Sequence, residues 1–420
     1  MARLGERGFV HLVGRGELEE RLEGSRASGV PLKIKAGFDP TRPDLHIGHA
    51  VVLRKMRVFQ ELGHEVTLVV GDFTAMVGDP TDTNEHRPRL SRQEVAVAAE
   101  TYATQAFKIL DRERTVVRNN SEWIDKLDAS RITELMAHMT VSRMLERNDF
   151  AARFAAHKPI FQHEFLYPLL QGYDSVALAC DLELGGTDQL FNLLVGRDIM
   201  PHYGLRGQMV MTTPLLEGTD ARVVEEGRVV GKKMSKSAEN YIGLQEEPLS
   251  IYRKVMQVDD SLIFRYFELL SARTAAEIQE LRAKNAGGGD PRETKALFAD
   301  ELVTALHGSA AAKRAASDFA RVYARPRAGG AGPPSPDDLP EDVPSHTVRT
   351  ELPTLWIAKA LSSVGLVKST GDGKRLVEQG GVEVDGVRLH EPNHQLEPGK
   401  RYLVRVGSKN RRFAFITVSR

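Results

Sequence analysis

The sequence predicts an α/β protein: a Rossmann-like parallel-sheet catalytic domain, then an all-helical domain, then a small α+β module. Three observations carry this. Strand-like and helix-like segments alternate over residues 1–244, the pattern of a parallel sheet covered by helices. From about 246 to 323 the apolar periodicity is helical throughout. A Pro/Gly-rich run then sets apart a short, basic, strand-rich tail.

Residues 32–38 read as the first strand, followed by a Pro/Thr/Asp loop and a helix from about His46 to Leu62 that stops at Gly63. Residues 66–71 form a second, more apolar strand and 115–118 a third. Later strands are expected at 178–184 and 208–212, with a helix of about a dozen residues between them. The stretch 122–165 is helical and interrupts the sheet as an insertion. Within the helical domain, 292–306 is amphipathic, with Leu297, Phe298, Leu302 and Leu306 at helical spacing and Gly308 after it. The run from Arg325 to Pro336, extending into Asp337, Asp338, Glu341 and Asp342, cannot bury a core and reads as a linker. Beyond it, helices are expected at 355–364 and 373–379. Val382-Glu383-Val384 and Val387-Arg388-Leu389 flank Asp385-Gly386, a hairpin signal, and strands follow at 402–406 and 413–418. The expected boundaries are 1–245, 246–324, a linker at 325–348, and 349–420.

Hydrophobic residues make up 41% and charged residues 27%, the balance of a water-soluble globular chain. No apolar run approaches the roughly 20 residues that span a bilayer, and the first residues lack the apolar stretch of a secretion signal, so a cytoplasmic location is expected. Cys180 is the only cysteine, which excludes an internal disulfide and a cysteine-built zinc site; it reads as a small buried residue. None of the 13 histidines has the carboxylate spacing of a helical metal motif. Net charge is zero, which argues against indiscriminate coating of nucleic acid. The tail is different: Lys400, Arg401, Arg405, Lys409, Arg411, Arg412 and Arg420 occur there without an acidic residue. That module is expected to meet phosphate.

Ligands of open parallel sheets bind beyond the carboxyl ends of the strands, where helix N-termini present N–H groups. Here that place is Gly37-Phe38-Asp39-Pro40-Thr41-Arg42-Pro43-Asp44-Leu45-His46-Ile47-Gly48-His49. Gly37 and Gly48 permit a flat group to approach the backbone. His46 and His49 lie one turn apart and offer donors to an α-phosphate gaining charge. Far downstream, Gly231-Lys232-Lys233-Met234-Ser235-Lys236-Ser237 places two ammonium groups three residues apart on a polar loop. Between them, Gly185-Gly186-Thr187-Asp188-Gln189 turns a strand into a helix, and Asp188 is able to accept both hydroxyls of a ribose or to cap that helix. Tyr167, Gln171 and Asp174, spaced four and three apart, share one polar face of an otherwise apolar helix.

In this order the two motifs resemble class I aminoacyl-tRNA synthetases, and residues 165–174 are similar to the corresponding helix of tyrosyl-tRNA synthetases. The resemblance covers the whole chain and implies ATP-dependent activation of tyrosine followed by transfer to transfer RNA. It implies that His46, His49, Lys233 and Lys236 stabilise the moving charge, with Thr41 counted among the catalytic residues. ATP falls to Gly37, Asp39, Gly48, Gly185, Asp188 and Ser237 as well, with magnesium accompanying it as substrate. Tyr167, Gln171 and Asp79 hold the α-amino group, Gln189 the carboxyl end, and Asp174 the phenol. It also implies an alpha-L RNA-binding module carrying Lys400, Arg401, Arg405, Lys409, Arg411 and Arg412 toward transfer RNA, and a homodimer formed through the insertion. The tryptophanyl relatives share the catalytic motifs but normally lack that module. A nucleotidyltransferase of the same superfamily accounts for the histidines but not for the anticodon-side modules; a silent RNA-binding relative accounts for the modules but not for intact catalytic motifs.

Two departures stand out. Lys35 occupies the place where the best-known branch has a phenol-contacting tyrosine, as in a second bacterial branch. Strand alternation leaves it either pairing with Asp174 or the phenol, or pointing away. The loop at 82–87 lacks a lysine often found after Gly78-Asp79-Pro80, leaving Arg87 as the candidate pyrophosphate contact.

Overall fold

The computed structural model describes residues 7–40, 44–79, 91–224, 228–323, 344–385, 387–407 and 412–420. Two compact units emerge, 1–309 and 310–420. Thr41, Arg87, the hairpin's Gly386, the Pro/Gly linker up to residue 343, Lys409 and Arg411 lie outside the described residues.

In the first unit, β1 (His11–Val13) leads to α1 (Arg15–Ser28), β2 (Lys33–Phe38), α2 (Ile47–Glu61), β3 (Glu65–Val70) and the single turn α3 (Thr74–Val77). Helix α4 (Arg92–Ala106) begins with a reciprocal cap between Ser91 and Glu94, a signature present in the sequence that the strand–helix count passed over. Then come β4 (Thr115–Asn119), the insertion helices α5 (Ser121–Ile124), α6 (Ala129–Ala137), α7 (Val141–Met144) and α8 (Asn148–Ala155), and the long α9 (Gln162–Leu178). Strand β5 (Leu182–Gly186), α10 (Leu190–Ile199) and β6 (Met209–Thr213) complete the sheet. The strand expected at 178–184 therefore starts later. Ala179 adopts a left-handed conformation that ends α9, and the apolar run before it belongs to the helix.

The sheet order is β1-β6-β5-β2-β3-β4, with β2 to β6 parallel and β1 antiparallel at the edge. Strand order reverses between β2 and β5, so the crevice above their carboxyl ends is where such sheets take ligands. Helix α2 holds this region by burying Leu53, Met56 and Phe59 completely; each is worth about 1.5–3 kcal/mol in burial. After the short hairpin β7 (Arg222–Val223) and β8 (Val229–Val230) come α11 (Pro248–Gln257), α12 (Ile263–Leu270), α13 (Ala275–Ala286) and α14 (Pro291–His307). Tyr266 and Phe267 pack edge-on against Phe298 in their core.

The second unit opens at Ala310 within α15 (Ser309–Tyr323), then has β9 (Ser345–Arg349), β10 (Leu355–Trp356), α16 (Ile357–Ser363) and α17 (Thr370–Glu378). Strands β11 (Val382–Val384), β12 (Val387–Leu389), β13 (Gln395–Leu396), β14 (Arg401–Val406) and β15 (Arg412–Ser419) follow. The five-stranded sheet runs β12-β11-β14-β15-β9, with β9 parallel to β15, and its core gathers Leu361, Val377, Val404 and Ile416. Residues 355–356, expected in a helix, instead pair with β13 as a short strand. Among the described residues no helix is long and apolar enough to cross a membrane.

Candidate active site

The cavity lies at the strand reversal and encloses about 960 Å³. One wall is the start of α2. His46 is its N-cap: the Gly48 backbone N–H donates to His46 Nδ1 at 3.1 Å, and the His46 N–H donates to His49 Nδ1 at 3.1 Å. Because Nδ1 of each ring accepts, each ring carries its proton on Nε2, the donor that a phosphate oxygen needs. The rings lie 3.9 Å apart. Burial, then the neighbouring His49, Lys236 and Lys233, hold His46 far below the usual imidazole range. Burial, followed by Lys236, pushes His49 down to about 4. Both therefore act as neutral hydrogen-bond donors at neutral pH. Gly48 is required here: a Cβ would stand 2.8 Å from the His46 ring. Gly37 has open space on its Cβ side and faces the cavity.

Facing this wall is the lysine loop. Its backbone runs antiparallel to residues 216–218, with Met234 N–H donating to Leu216 O at 2.8 Å and Gly218 N–H to Lys232 O at 3.0 Å. Buried Asn240 fixes its shape, accepting from Ser235 N–H at 2.8 Å and donating to Asp220 at 2.8 Å. From the helical segment, the Tyr266 hydroxyl donates to Glu217 O at 2.7 Å, pinning the strand on which the loop rests. The α2 start is tied to the segment after the loop by Ile47 N–H to Ile242 O and Leu244 N–H to Leu45 O, both 2.9 Å. Lys233 Nζ reaches Asp188 Oδ2 at 3.0 Å, and Lys236 and Ser237 line the cavity beside it.

Helix α9 supplies the floor. The Tyr167 hydroxyl donates to Asp39 Oδ2 at 2.9 Å, and Thr74 donates to Asp39 Oδ1 at 2.7 Å. Burial outweighs these bonds and pushes Asp39 up to about 7. Asp174 accepts from the Trp123 indole N–H at 2.8 Å and from Asn120 at 3.5 Å. Burial also raises it to about 7, against the opposing charge of Lys35. Gln171 accepts from Asn192 at 3.0 Å. Asp79 accepts from Arg147 at 2.8 Å and from Gln189 at 2.9 Å.

The structure thus brings Gly37, Asp39, His46, Gly48 and His49 together with Asp79, Tyr167, Gln171 and Asp174, and with Gly185, Asp188, Gln189, Lys233, Lys236 and Ser237, around one cavity. Lys35 is not on that lining. It lies beneath the floor, paired with Glu183 at 2.6 Å, a partner absent from both alternatives the strand pattern left. A signal existed: Glu183 is a charge inside an apolar strand, and a buried charge needs a partner. Arg147, Asn120 and Asn192 were also missed; Arg147 carries no local pattern, since its role depends on how the insertion folds back. In the second unit, Lys400 pairs with Glu397 at 2.6 Å, Arg405 with Glu383, and Arg401 stacks over Phe415 at 3.8 Å, while Arg412 is exposed. Among the described residues no group of three His, Cys, Asp or Glu side chains is placed to hold a metal.

Residues 27–324 match the family described as tRNA synthetases class I (W and Y), and 355–401 match the S4 domain. The tyrosine–tRNA ligase of Geobacter sulfurreducens is 48% identical over 413 residues, 98% of this chain and 97% of that one. That of Desulfotalea psychrophila is 47% identical over 405 residues, 96% and 95%. Among solved structures, a C-terminally truncated mitochondrial tyrosyl-tRNA synthetase of Coccidioides posadasii superposes with a TM-score of 0.60 at 24% identity, covering 76% of this chain and 90% of its own. The tyrosyl-tRNA synthetase of Archaeoglobus fulgidus, solved with L-tyrosine, gives 0.59 at 22% identity, covering 75% and 98%. These two support the fold.

Proposed function

The chain belongs to the tyrosine–tRNA ligases of the class I tRNA synthetases, which activate tyrosine with ATP and load it onto transfer RNA, and from that premise we propose how its residues divide the work. The observation that carries the assignment is the joining of both catalytic motifs and the α9 face around one cavity. The tyrosine phenol donates to Asp174, and its α-ammonium meets Tyr167, Gln171 and Asp79. Its carboxylate, steered by Gln189, attacks the α-phosphate of ATP. Asp188 receives the ribose. His46 and His49, through Nε2–H, and Lys233 and Lys236, through their ammonium groups, stabilise the charge that moves to pyrophosphate. Thr41 belongs to the same group. Magnesium accompanies ATP as part of the substrate. No covalent enzyme intermediate is needed: the ribose hydroxyl at the transfer RNA end takes the tyrosyl group from the adenylate.

The same reading assigns 1–245 to catalysis, with the insertion at 122–165 forming a homodimer contact and receiving the acceptor stem. The exposed side chains of Val141, Phe154 and Phe161 support the insertion's role as an interface. Residues 246–324 take the anticodon stem; the linker expected at 325–348 ends before β9, whose Ser345–Arg349 belongs to the sheet, and the module from 345 to 420 binds RNA through Lys400, Arg401, Arg405, Lys409, Arg411 and Arg412. ATP and transfer RNA as substrates support a cytoplasmic location. The deciding experiment is ATP–pyrophosphate exchange with each common amino acid in turn. Exchange with tyrosine alone is expected; exchange with tryptophan instead would overturn the floor assignment.

A further inference from the structure

Lys35 on β2 and Glu183 on β5 are paired directly across the strand reversal, and their side chains meet at 2.6 Å with 1% exposure each. The other Glu183 oxygen accepts from Gln208 and, at 3.2 Å, from the hydroxyl of Ser175. Ser175 adjoins Asp174 in the chain, and the charges of Lys35 and Glu183 both reach Asp174, so this network lies next to the carboxylate that faces the cavity. Asp174 is itself only 3% exposed. A lone carboxylate in such a place would give up its charge, because desolvation is expensive. A cation behind it offsets that cost. A cation bound directly to it, however, would occupy the acceptor oxygens that a phenol needs.

We propose that the Lys35–Glu183 pair is a positioning device for recognition of the phenol: Lys35 favours the ionised form of Asp174 from behind, and Glu183 holds the ammonium off the acceptor oxygens. The proposal rests on the reading of Asp174 as the phenol acceptor. The groups facing Asp174 are Lys35 and Asp39 from β2 and Glu183 from β5, with Tyr167 and Asp79 beyond Asp39; Trp123 and Asn120 contribute neutral donors. Of the charges acting on Asp174, that of Lys35 is the largest; Arg147 lies further out on Asp79, and Arg118 over the Trp123 ring.

The test is the pH dependence of kcat/KM for tyrosine in pyrophosphate exchange, using the full chain. Ionised Asp174 is the stronger acceptor, and its protonation weakens the bond to the phenol, so activity falls on the acid side. Lys35→Met removes the supporting charge, and its acid limb moves to higher pH by about one unit. Glu183→Gln removes the opposing charge and releases the ammonium; its limb moves to lower pH while KM for tyrosine rises at all pH values. Lys35→Arg keeps the charge and holds the limb near the parent, and with Glu183→Gln gives the comparison if Lys35→Met does not fold. Limbs that stay in place, or move in the same direction, overturn the proposal: a merely structural pair lowers melting temperature and activity without displacing them. Asp174→Ala, which removes the acceptor, separates the two levels. If it keeps the preference for tyrosine over phenylalanine, the phenol reading itself falls. If it loses that preference while the limbs of the other variants do not move, only the role of the pair falls.

Discussion

Lys233 Nζ lies 3.0 Å from Asp188 Oδ2, joining the lysine loop to the turn after β5. Both side chains are partly exposed, so the pair contributes at most about 1 kcal/mol to stability. On the proposed assignment its value is positional, since it brings the lysine assigned to the triphosphate next to the aspartate assigned to the ribose. Asp188→Ala is expected to leave the melting temperature nearly unchanged and raise KM for ATP about tenfold or more. Thermal melting alongside exchange kinetics checks this; an unchanged KM for ATP would remove Asp188 from the ribose.

On the proposed mechanism Lys236 acts through charge that develops as pyrophosphate leaves, so Lys236→Ala should slow adenylate formation by about a hundredfold or more while tyrosine still binds. Single-turnover adenylation and equilibrium tyrosine binding separate the two effects. Equal single-turnover rates for variant and parent would sink the assignment.

Asp174 is expected to set the choice between tyrosine and phenylalanine. Phenylalanine leaves buried Asp174 with Trp123 and Asn120 but without the phenol donor, a loss of about 1–3 kcal/mol, and Asp174→Ala abolishes that penalty. The ratio of kcat/KM for the two amino acids should fall at least about tenfold. A ratio that stays at the parent value takes Asp174 out of the phenol contact.

The legible part of this protein was what repeats locally. Apolar periodicity located the parallel strands and the helices from 248 to 323, and the His46–His49 and Lys233–Lys236 strings marked two walls of one cavity. What escaped depends on contacts distant in sequence. Lys35 and Glu183 lie far apart in the chain and meet only because β5 returns beside β2. Arg147 reaches Asp79 because the insertion folds back over the floor. Strand β9 was missed because its alternating pattern gains meaning only beside β15.

Arg147 is 5% exposed on its side chain and bridges Asp79, Asp149 and Asn192, so it positions the groups assigned to the α-ammonium. Breaking such a buried pair costs about 3–5 kcal/mol, and lysine cannot reproduce the forked geometry. Arg147→Lys is expected to raise KM for tyrosine about tenfold with a smaller change in kcat. Steady-state exchange kinetics check the split; an unaltered KM would show that Asp79 keeps its place without Arg147.

Asp39 provides the pH test. Its folded pKa is about 7, against 3.8 for an ordinary aspartate, so the folded protein holds this proton more tightly than the unfolded chain. The contribution is fully present below the ordinary value and is lost as pH rises through about 7. Asp39→Asn keeps an acceptor for the Tyr167 hydroxyl and cannot ionise. Relative to the parent, its stability should therefore improve as pH is raised from about 5 to about 8, by at least about 1 kcal/mol. Asp174 adds its charge to the causes that raise Asp39, so the difference between the two proteins reads the coupled pair. Denaturant melts of both proteins at the two pH values read the effect, and a difference that does not change with pH would show that Asp39 is ionised throughout.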